Sequence, residues 1–127
     1  INKGEKFIYA ADQDYGLKVS AMIPFFGSDA ATVTFPALFS RKNIKIIMAD
    51  VSKIDGCYVI EFAELNNTED EKYFLSSMNE CYEEFIKKEP EGYLWMHRRF
   101  KSGSENAIYP KWSSREKRRA KRRMKRD

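Results

Sequence analysis

Two short stretches of this sequence carry the side chains that could do chemistry at a binding or catalytic site. Residues 12–32 read DQDYGLKVSAMIPFFGSDAAT, with two carboxylates near the start and two phenylalanines followed by a glycine further on. Residues 93–101 read YLWMHRRFK and hold the single histidine and two adjacent arginines. Carboxylates and arginines orient substrates, and arginines and backbone N–H groups at turns stabilise oxyanions. We therefore expect the two stretches to lie close together in the fold.

The two carboxylates of the first stretch, Asp12 and Asp14, are separated by one residue. Along an extended chain they point in opposite directions. Two interpretations are open: one of them orients a reacting group or a substrate, or both cap nearby N–H groups in a loop.

Phe26 and Gly27 precede a segment that reads as the start of a helix, with Ser28 or Asp29 as its N-cap. Backbone N–H groups at a helix start can bind a phosphate or a developing oxyanion. The alternative is an aromatic residue that fills the core, followed by a glycine turn. Because Pro36 falls inside this predicted helix, we expect either a kink there or a helix that begins late.

The histidine and the two arginines of the second stretch invite different interpretations. No carboxylate stands at helical spacing from His97, which favours a structural hydrogen-bonding role over that of a general base. Arg98 and Arg99 are each a candidate to hold phosphates or to pair with Asp12 or Asp14. We expect one arginine in each role.

The elements that must position these residues can be read in order along the chain. Strands are predicted at 6–10 and 20–23, and a hairpin at 44–49 and 57–63 with its turn at Asp55-Gly56. Thr68 is the predicted cap of a helix that Pro90 stops, before a short helical turn. The buried face of that helix should hold Phe74, Met78, Cys81, Tyr82 and Phe85. This order predicts an α/β fold, a partial mixed β-sheet flanked by helices.

Charge divides the 127 residues into a body and a tail. Residues 1–110 hold 13 Lys+Arg and 17 Asp+Glu, net −4, whereas residues 111–127 hold 10 and 2, net +8. We predict a domain over 1–110 and a basic tail over 111–127. The tail is either a solvated end or a segment that binds anionic lipid, an acidic carrier protein or RNA.

The two cysteines, Cys57 and Cys81, lie far apart without a CxxC spacing. We predict two buried free thiols, and we expect neither a metal site nor a cofactor. The sequence contains no run of about 18 apolar residues, so it predicts no membrane span within these 127 residues.

The chain resembles the C-terminal half of the lipid A biosynthesis acyltransferases, the late lauroyl/myristoyl transferases of Gram-negative bacteria. The similarity extends from about Lys6 to Gly103. Four blocks carry it in order: DQDYG from Asp12, IPFFG from Ile23, AAT from Ala30, and PEGYLWMHRRFK from Pro90.

The resemblance implies transfer of an acyl chain from acyl carrier protein to a hydroxyl of a lipid A precursor, at the cytoplasmic face of the bacterial inner membrane. In this family an HxxxxE/D motif supplies the general base. Since the one histidine here is His97, we expect the base in the upstream half of the same domain, and we expect this chain to be inactive alone. Three explanations of the missing motif are open: a truncated sequence, a split gene or a decayed gene.

The resemblance also assigns site residues. Asp14 is the expected catalytic residue. The expected substrate-binding residues are Asp12, Tyr15, Gly16, Phe26, Gly27, Thr32, Lys53, Arg98 and Arg99. Lys53 stands near a position where the family usually has arginine, and it offers a point charge in place of a bidentate fork. The alternative function is a catalytically incomplete binding module whose tail docks on anionic lipid or nucleic acid; nucleic acid is the less expected partner.

Overall fold

The computed structural model describes residues 4–103, in which two antiparallel β-hairpins pack with two helices. The predicted α/β class is confirmed, and each hairpin forms its own two-stranded sheet within the described residues. The elements in order are β1 (Ser20–Phe25), β2 (Ser28–Val33), α1 (Phe35–Arg41), β3 (Ile46–Ile54), β4 (Cys57–Leu65), α2 (Glu71–Lys88) and a 3₁₀ turn (Pro90–Gly92).

The first hairpin corrects the prediction of a helix beginning at Ser28 or Asp29, because residues 28–33 form β2. Phe26 and Gly27 have φ angles of 48° and 74°, and two successive positive φ angles are typical of the tight turns that reverse a strand. The chain therefore folds back on β1, which continues past its predicted end at Ile23.

Helix α1 starts only after this hairpin. Pro36 lies in its first turn, where a missing N–H removes no helical hydrogen bond. Of the two outcomes expected from Pro36, the late start is the one observed.

The second hairpin confirms the prediction for the middle of the chain. Asp55 and Gly56 form its turn with φ angles of 49° and 81°, and Ile54 pairs with Cys57 across it. Both strands run longer than predicted. Cys57 is exposed beside this turn, so the prediction of a buried thiol is wrong there, whereas Cys81 on α2 is buried.

Helix α2 supplies the largest part of the core. The buried face is the predicted one, with Leu75, Asn79 and Ile86 in addition and with Tyr82 only partly buried. The cap differs from the prediction: Asp70, not Thr68, accepts the Tyr73 N–H at 2.9 Å. Thr68 instead exchanges hydrogen bonds with the Ser40 hydroxyl, which ties the start of α2 to α1.

Two apolar clusters hold the elements together. The larger joins α2 to both hairpins and α1 through residues that include Ile23, Val33, Met48 and Phe74. The smaller consists of Phe25, Ala30, Ile86 and Phe100 and seats the 97–103 segment on the first hairpin. Burial of a large side chain such as Phe25, Phe74 or Ile86 stabilises the fold by roughly 1.5–3 kcal/mol.

The predicted strand at residues 6–10 is not formed. These residues belong to no strand, and the backbone of residues 6–9 makes no hydrogen bond within residues 4–103. A strand requires a partner, and no strand among residues 4–103 pairs with this segment. The predicted helical turn after Pro90 is a single 3₁₀ turn that ends before Tyr93.

Two further predictions concern membrane spans and the basic tail. No helix among residues 4–103 is long and apolar enough to cross a membrane. The basic tail, residues 111–127, lies outside the described residues.

Candidate functional site

The structure brings the two chemically dense stretches together, as predicted, and Asp14 is the residue that joins them. Its side chain is only 2% exposed. Oδ1 accepts the Gly16 N–H at 2.8 Å and the Ser102 hydroxyl at 3.0 Å, and Oδ2 accepts the Ser102 N–H at 3.0 Å. The carboxylate thus ties the 12–16 loop to the end of the 93–103 segment.

His97 forms a second tie between the same two segments. Its Nε2 accepts the Asp14 N–H at 2.9 Å, so this nitrogen carries no proton. Partial burial, and then the nearby Lys101 ammonium, lower the pKa of His97 below its ordinary value of 6.5. A neutral imidazole with its Nε2 lone pair occupied fits the predicted structural role.

Arg99 lies in the interior, with 2% of its surface exposed. Its Nη1 donates to the Ala31 carbonyl at 2.6 Å, and its Nη2 donates to Thr32 Oγ1 at 2.9 Å and to Asn79 Oδ1 at 3.4 Å. The guanidinium also sits 5.0 Å from the centre of the Phe25 ring. Burial lowers the pKa of Arg99, and it is opposed by Tyr93, Asp14 and other groups that favour the charged form.

These contacts make Arg99 the internal cross-link between the 93–103 segment, β2 and α2. Arg98 is half-buried and makes contacts of its own. The hydrogen bonds of Arg99 go to β2 and α2, and the phosphate contact predicted for one of the two arginines stays a prediction.

Asn79 is a site residue that sequence reasoning missed. Its Nδ2 donates to the Pro24 carbonyl at 2.9 Å and to Thr32 Oγ1 at 3.0 Å, from a position that is 1% exposed. A signal was present: Asn79 follows Leu75 by one helical turn, so it is a polar residue on the apolar face of α2. Buried polar side chains are almost always hydrogen-bonded.

Glu83 on α2 holds the Phe26-Gly27 turn in place. The Phe26 N–H donates to Glu83 Oε1 at 2.7 Å, and Lys87 Nζ lies 5.6 Å from the centre of the Phe26 ring. The helix start on which anion binding was predicted is absent, and this N–H already has an acceptor. Contact of Phe26 or Gly27 with a substrate stays a prediction that rests on the family resemblance.

The remaining predicted residues fall into two places. Asp12, Tyr15 and Gly16 lie on the loop that Asp14 anchors, and the Tyr15 hydroxyl donates to the Ala10 carbonyl at 3.1 Å. Lys53 lies on the second hairpin, 5.8 Å from the Tyr58 ring, and the structure does not bring it to the other residues. The roles predicted for all four stay predictions.

A cavity of about 70 Å³ lies between β3 and the end of α2, lined by residues such as Asp50, Phe85 and Tyr93. It contains none of the predicted site residues. Among residues 4–103 no three His, Cys, Asp or Glu side chains are placed to hold a metal.

The described residues thus form part of an α/β domain in which Asp14 holds an acidic loop and Arg99 is buried. Similarity to known proteins indicates the class of protein to which this chain belongs. The sequence profile of the bacterial lipid A biosynthesis acyltransferases matches residues 1–102. The chain belongs to this family.

Similarity to individual members of the family agrees with this assignment. The lipid A biosynthesis palmitoleoyltransferase of Escherichia coli K12 is 33% identical over 117 residues, which cover 86% of this chain and 38% of the relative. A lipid A biosynthesis acyltransferase of Haemophilus influenzae is 35% identical over 106 residues, 77% of this chain and 34% of that protein. The Escherichia coli lauroyltransferase is 32% identical over 83% of this chain and 37% of its own length. The chain thus spans well under half of these relatives, and no solved structure matches.

Proposed function

We propose that this chain forms one wall of the active site of an acyltransferase that moves a fatty acyl chain from acyl carrier protein to a hydroxyl of a lipid A precursor. The observation that carries the proposal is the family match over residues 1–102. Two relatives are named for the transfer of different acyl groups in lipid A biosynthesis, palmitoleoyl and lauroyl.

In this reaction the acceptor hydroxyl attacks the thioester carbonyl while a general base removes its proton, and the donor thiolate then leaves. Asp14 has both oxygens engaged within the protein, so its contribution is to hold the 12–16 loop in place. By resemblance to the family, we assign contact with the acceptor to Asp12 and Tyr15 on that loop and to Arg98. Arg98 suits a phosphate of the lipid A precursor, because a guanidinium binds phosphate oxygens in pairs.

The general base, in this proposal, comes from the upstream half of the same domain. His97 is the one histidine among the 127 residues, and its Nε2 accepts a backbone N–H. It therefore has no free lone pair on that nitrogen to accept a proton from the acceptor hydroxyl. The 127-residue chain alone should be inactive.

We further place the enzyme at the cytoplasmic face of the inner membrane, where the net +8 tail would contact anionic headgroups. Polybasic segments bind such surfaces at about 1 kcal/mol per Lys or Arg close to the surface. The alternative, a binding module without catalysis, is not favoured, since the family match covers the body of the chain and not its tail.

The test compares two proteins: the 127-residue chain, and a completed domain in which these residues replace the matched segment of the Escherichia coli palmitoleoyltransferase. Each is given acyl carrier protein charged with a radiolabelled acyl group and a lipid A precursor. We expect transfer by the completed domain and none by the chain alone. Transfer by the chain alone would contradict an external base, and no transfer by the completed domain would contradict the proposed function.

A further inference from the structure

The Phe26-Gly27 turn has a strained backbone that a side chain of another element holds in place. Phe26 has a φ of 48°, in the left-handed region that residues other than glycine resist. Its N–H donates to Glu83 Oε1 at 2.7 Å, and hydrogen bonds to a charged acceptor are the strong ones. The carboxylate on α2 therefore stabilises a turn conformation that the residue type of Phe26 does not favour.

Glu83 also reaches the ring of Phe26 through a second residue. Its Oε2 lies 3.4 Å from Lys87 Nζ, one helical turn further along α2, and this Nζ lies 5.6 Å from the centre of the Phe26 ring. A cation near the face of an aromatic ring is attracted to it. Since the Lys87 side chain is 62% exposed, the ion pair contributes little to stability. The hydrogen bond is thus the stronger link between Glu83 and the turn.

The first hairpin is anchored to α2 without Glu83. Asn79, one helical turn earlier, is 1% exposed and donates to the Pro24 carbonyl at 2.9 Å. Phe25 is buried in the smaller apolar cluster. In contrast, the Glu83 side chain is 19% exposed, and Phe26 is 38% exposed. Glu83 lies at the rim of this packing, so the main feature that it sets is the conformation of an exposed turn.

We propose that Glu83 is a positioning residue of the acyltransferase, which holds the Phe26-Gly27 turn in the conformation that contacts the lipid A precursor. This inference rests on the proposed function, because it takes the acceptor of that reaction as the ligand. The outer side of the turn is open, since a Cβ atom built on Gly27 would meet nothing within 4 Å. A turn fixed in advance loses less conformational freedom when a ligand binds.

The chemistry around the turn favours the lipid over the carrier protein. The exposed Phe26 ring is an apolar surface with the Lys87 ammonium beside it, a combination that suits an amphiphile with an anionic headgroup. Glu80 and Glu84 are exposed on the same side of α2, within one helical turn of Glu83. These carboxylates oppose the docking of an acidic protein.

Steady-state kinetics in the completed domain defined above test the role of Glu83. Glu83→Ala should raise the KM for the lipid A precursor about tenfold or more and change the KM for the acylated carrier protein by less than about twofold. Glu83→Gln keeps an oxygen that accepts the Phe26 N–H, so it should restore most of the loss. Glu84→Ala is the matched control on the neighbouring position of α2, and it should change neither KM.

A purely structural role gives a different pattern, because partial unfolding only lowers the amount of active enzyme. A lower kcat with both KM values unchanged in Glu83→Ala would overturn the proposal. A higher KM for the carrier protein alone would assign the turn to the acyl donor and overturn the choice of the lipid. If Glu83→Gln is as impaired as Glu83→Ala, the hydrogen bond to Phe26 is excluded as the cause.

Amide hydrogen exchange in the 127-residue chain separates this inference from the proposed function. The Phe26 N–H should exchange about threefold faster or more in Glu83→Ala, and Glu84→Ala should not change its rate. Unchanged exchange in Glu83→Ala would remove the positioning contact and leave the proposed function standing. No transfer by the unmodified completed domain would remove the proposed function, and with it the lipid as ligand, while faster exchange would still establish the contact.

Discussion

Asp14 and Arg99 are two charged side chains that the fold buries, and each is used to join segments distant in sequence. Asp14 accepts its hydrogen bonds from groups on two loops, and Arg99 donates to β2 and to α2. A buried charge is tolerated only when hydrogen bonds replace water around it. Substituting either residue should therefore affect the stability of the whole domain part.

Replacing Asp14 by asparagine should destabilise the chain by about 1–3 kcal/mol, because the amide keeps only one acceptor oxygen and loses the charge. The free energy of unfolding from urea denaturation of the 127-residue chain measures this. Asp12→Asn is the matched control and should change it by less than about 0.5 kcal/mol, since that side chain is half-buried in the same loop. Equal effects of the two substitutions would refute the bracing role of Asp14.

Replacing Arg99 by lysine should cost about 2–4 kcal/mol, since one ammonium cannot reach both the Ala31 carbonyl and Thr32 Oγ1 in the same fork geometry. Arg41→Lys is the control: Arg41 forms an exposed ion pair with Glu71 at 2.9 Å, and such pairs contribute little. Thermal or urea unfolding checks both variants. A tolerated Arg99→Lys would show that the charge alone is needed.

At the scale of elements, turns and connecting segments decide where the site residues lie. The Phe26-Gly27 turn sends β2 back along β1, which places Ala31 and Thr32 beneath Arg99. The 93–103 segment is then closed over this hairpin. Gly103 passes so near β2 that a Cβ atom there would meet the Asp29 carbonyl at 2.7 Å.

The turn gives a test at this scale. Gly27→Ala should destabilise the chain by about 1 kcal/mol, because alanine resists the positive φ even though the space around the glycine is open. Gly92→Ala serves as comparison, since Gly92 lacks a positive φ and its added Cβ would meet only a flexible glutamate side chain. Denaturant unfolding of both variants supplies the measurement. No loss of stability in Gly27→Ala would mean that the turn is not formed.

The tie between His97 and Asp14 should make stability depend on pH. Because the pKa of His97 is lowered in the folded chain, the unfolded chain binds a proton first as the pH falls. The contribution of neutral His97 to the free energy of unfolding should therefore be full above about pH 6.5 and should decline as the pH falls below this value. Unfolding free energies between pH 7.5 and 5.5 measure the effect. His97→Gln, which cannot titrate, should lose this dependence; since the sequence has one histidine, a slope that persists would rule His97 out as its source.

At the scale of the whole molecule, an acidic body is joined to a strongly basic tail. We expect the 127-residue chain to bind vesicles containing anionic lipid and to dissociate as salt rises, because the attraction is screened within about 10 Å at 0.1 M salt. A chain ending at residue 110 should bind at least a hundredfold more weakly. Co-sedimentation with anionic and with neutral vesicles checks this, and equal binding by the shortened chain would exclude the tail as the contact.

The sequence correctly predicted features that depend on residues close together in the chain. The Asp55-Gly56 turn is readable because aspartate and glycine tolerate the backbone angles that it needs. The buried face of α2 is readable because its apolar residues repeat with the helical period. The proximity of the two chemically dense stretches was expected from their residue types, and the contacts of Asp14 confirm it.

Two of the errors fall where an outcome depends on a distant partner. Residues 28–33 form a strand because β1 lies beside them and α2 covers them, whereas their composition also suits a helix start. Residues 6–10 have the composition of a strand, yet pairing needs a second strand that the described chain does not supply.

By itself, the sequence determined the family, the α/β class, the second hairpin and the apolar face of α2, since each is encoded by neighbouring residue types. Only the tertiary structure decided which arginine of the Arg98-Arg99 pair is buried, that Asp14 is a brace, and that Asn79 and Glu83 hold the first hairpin. The physical reason is that burial and hydrogen bonding of a polar group depend on which segments meet around it, and those segments are separated by as many as 88 positions in the chain.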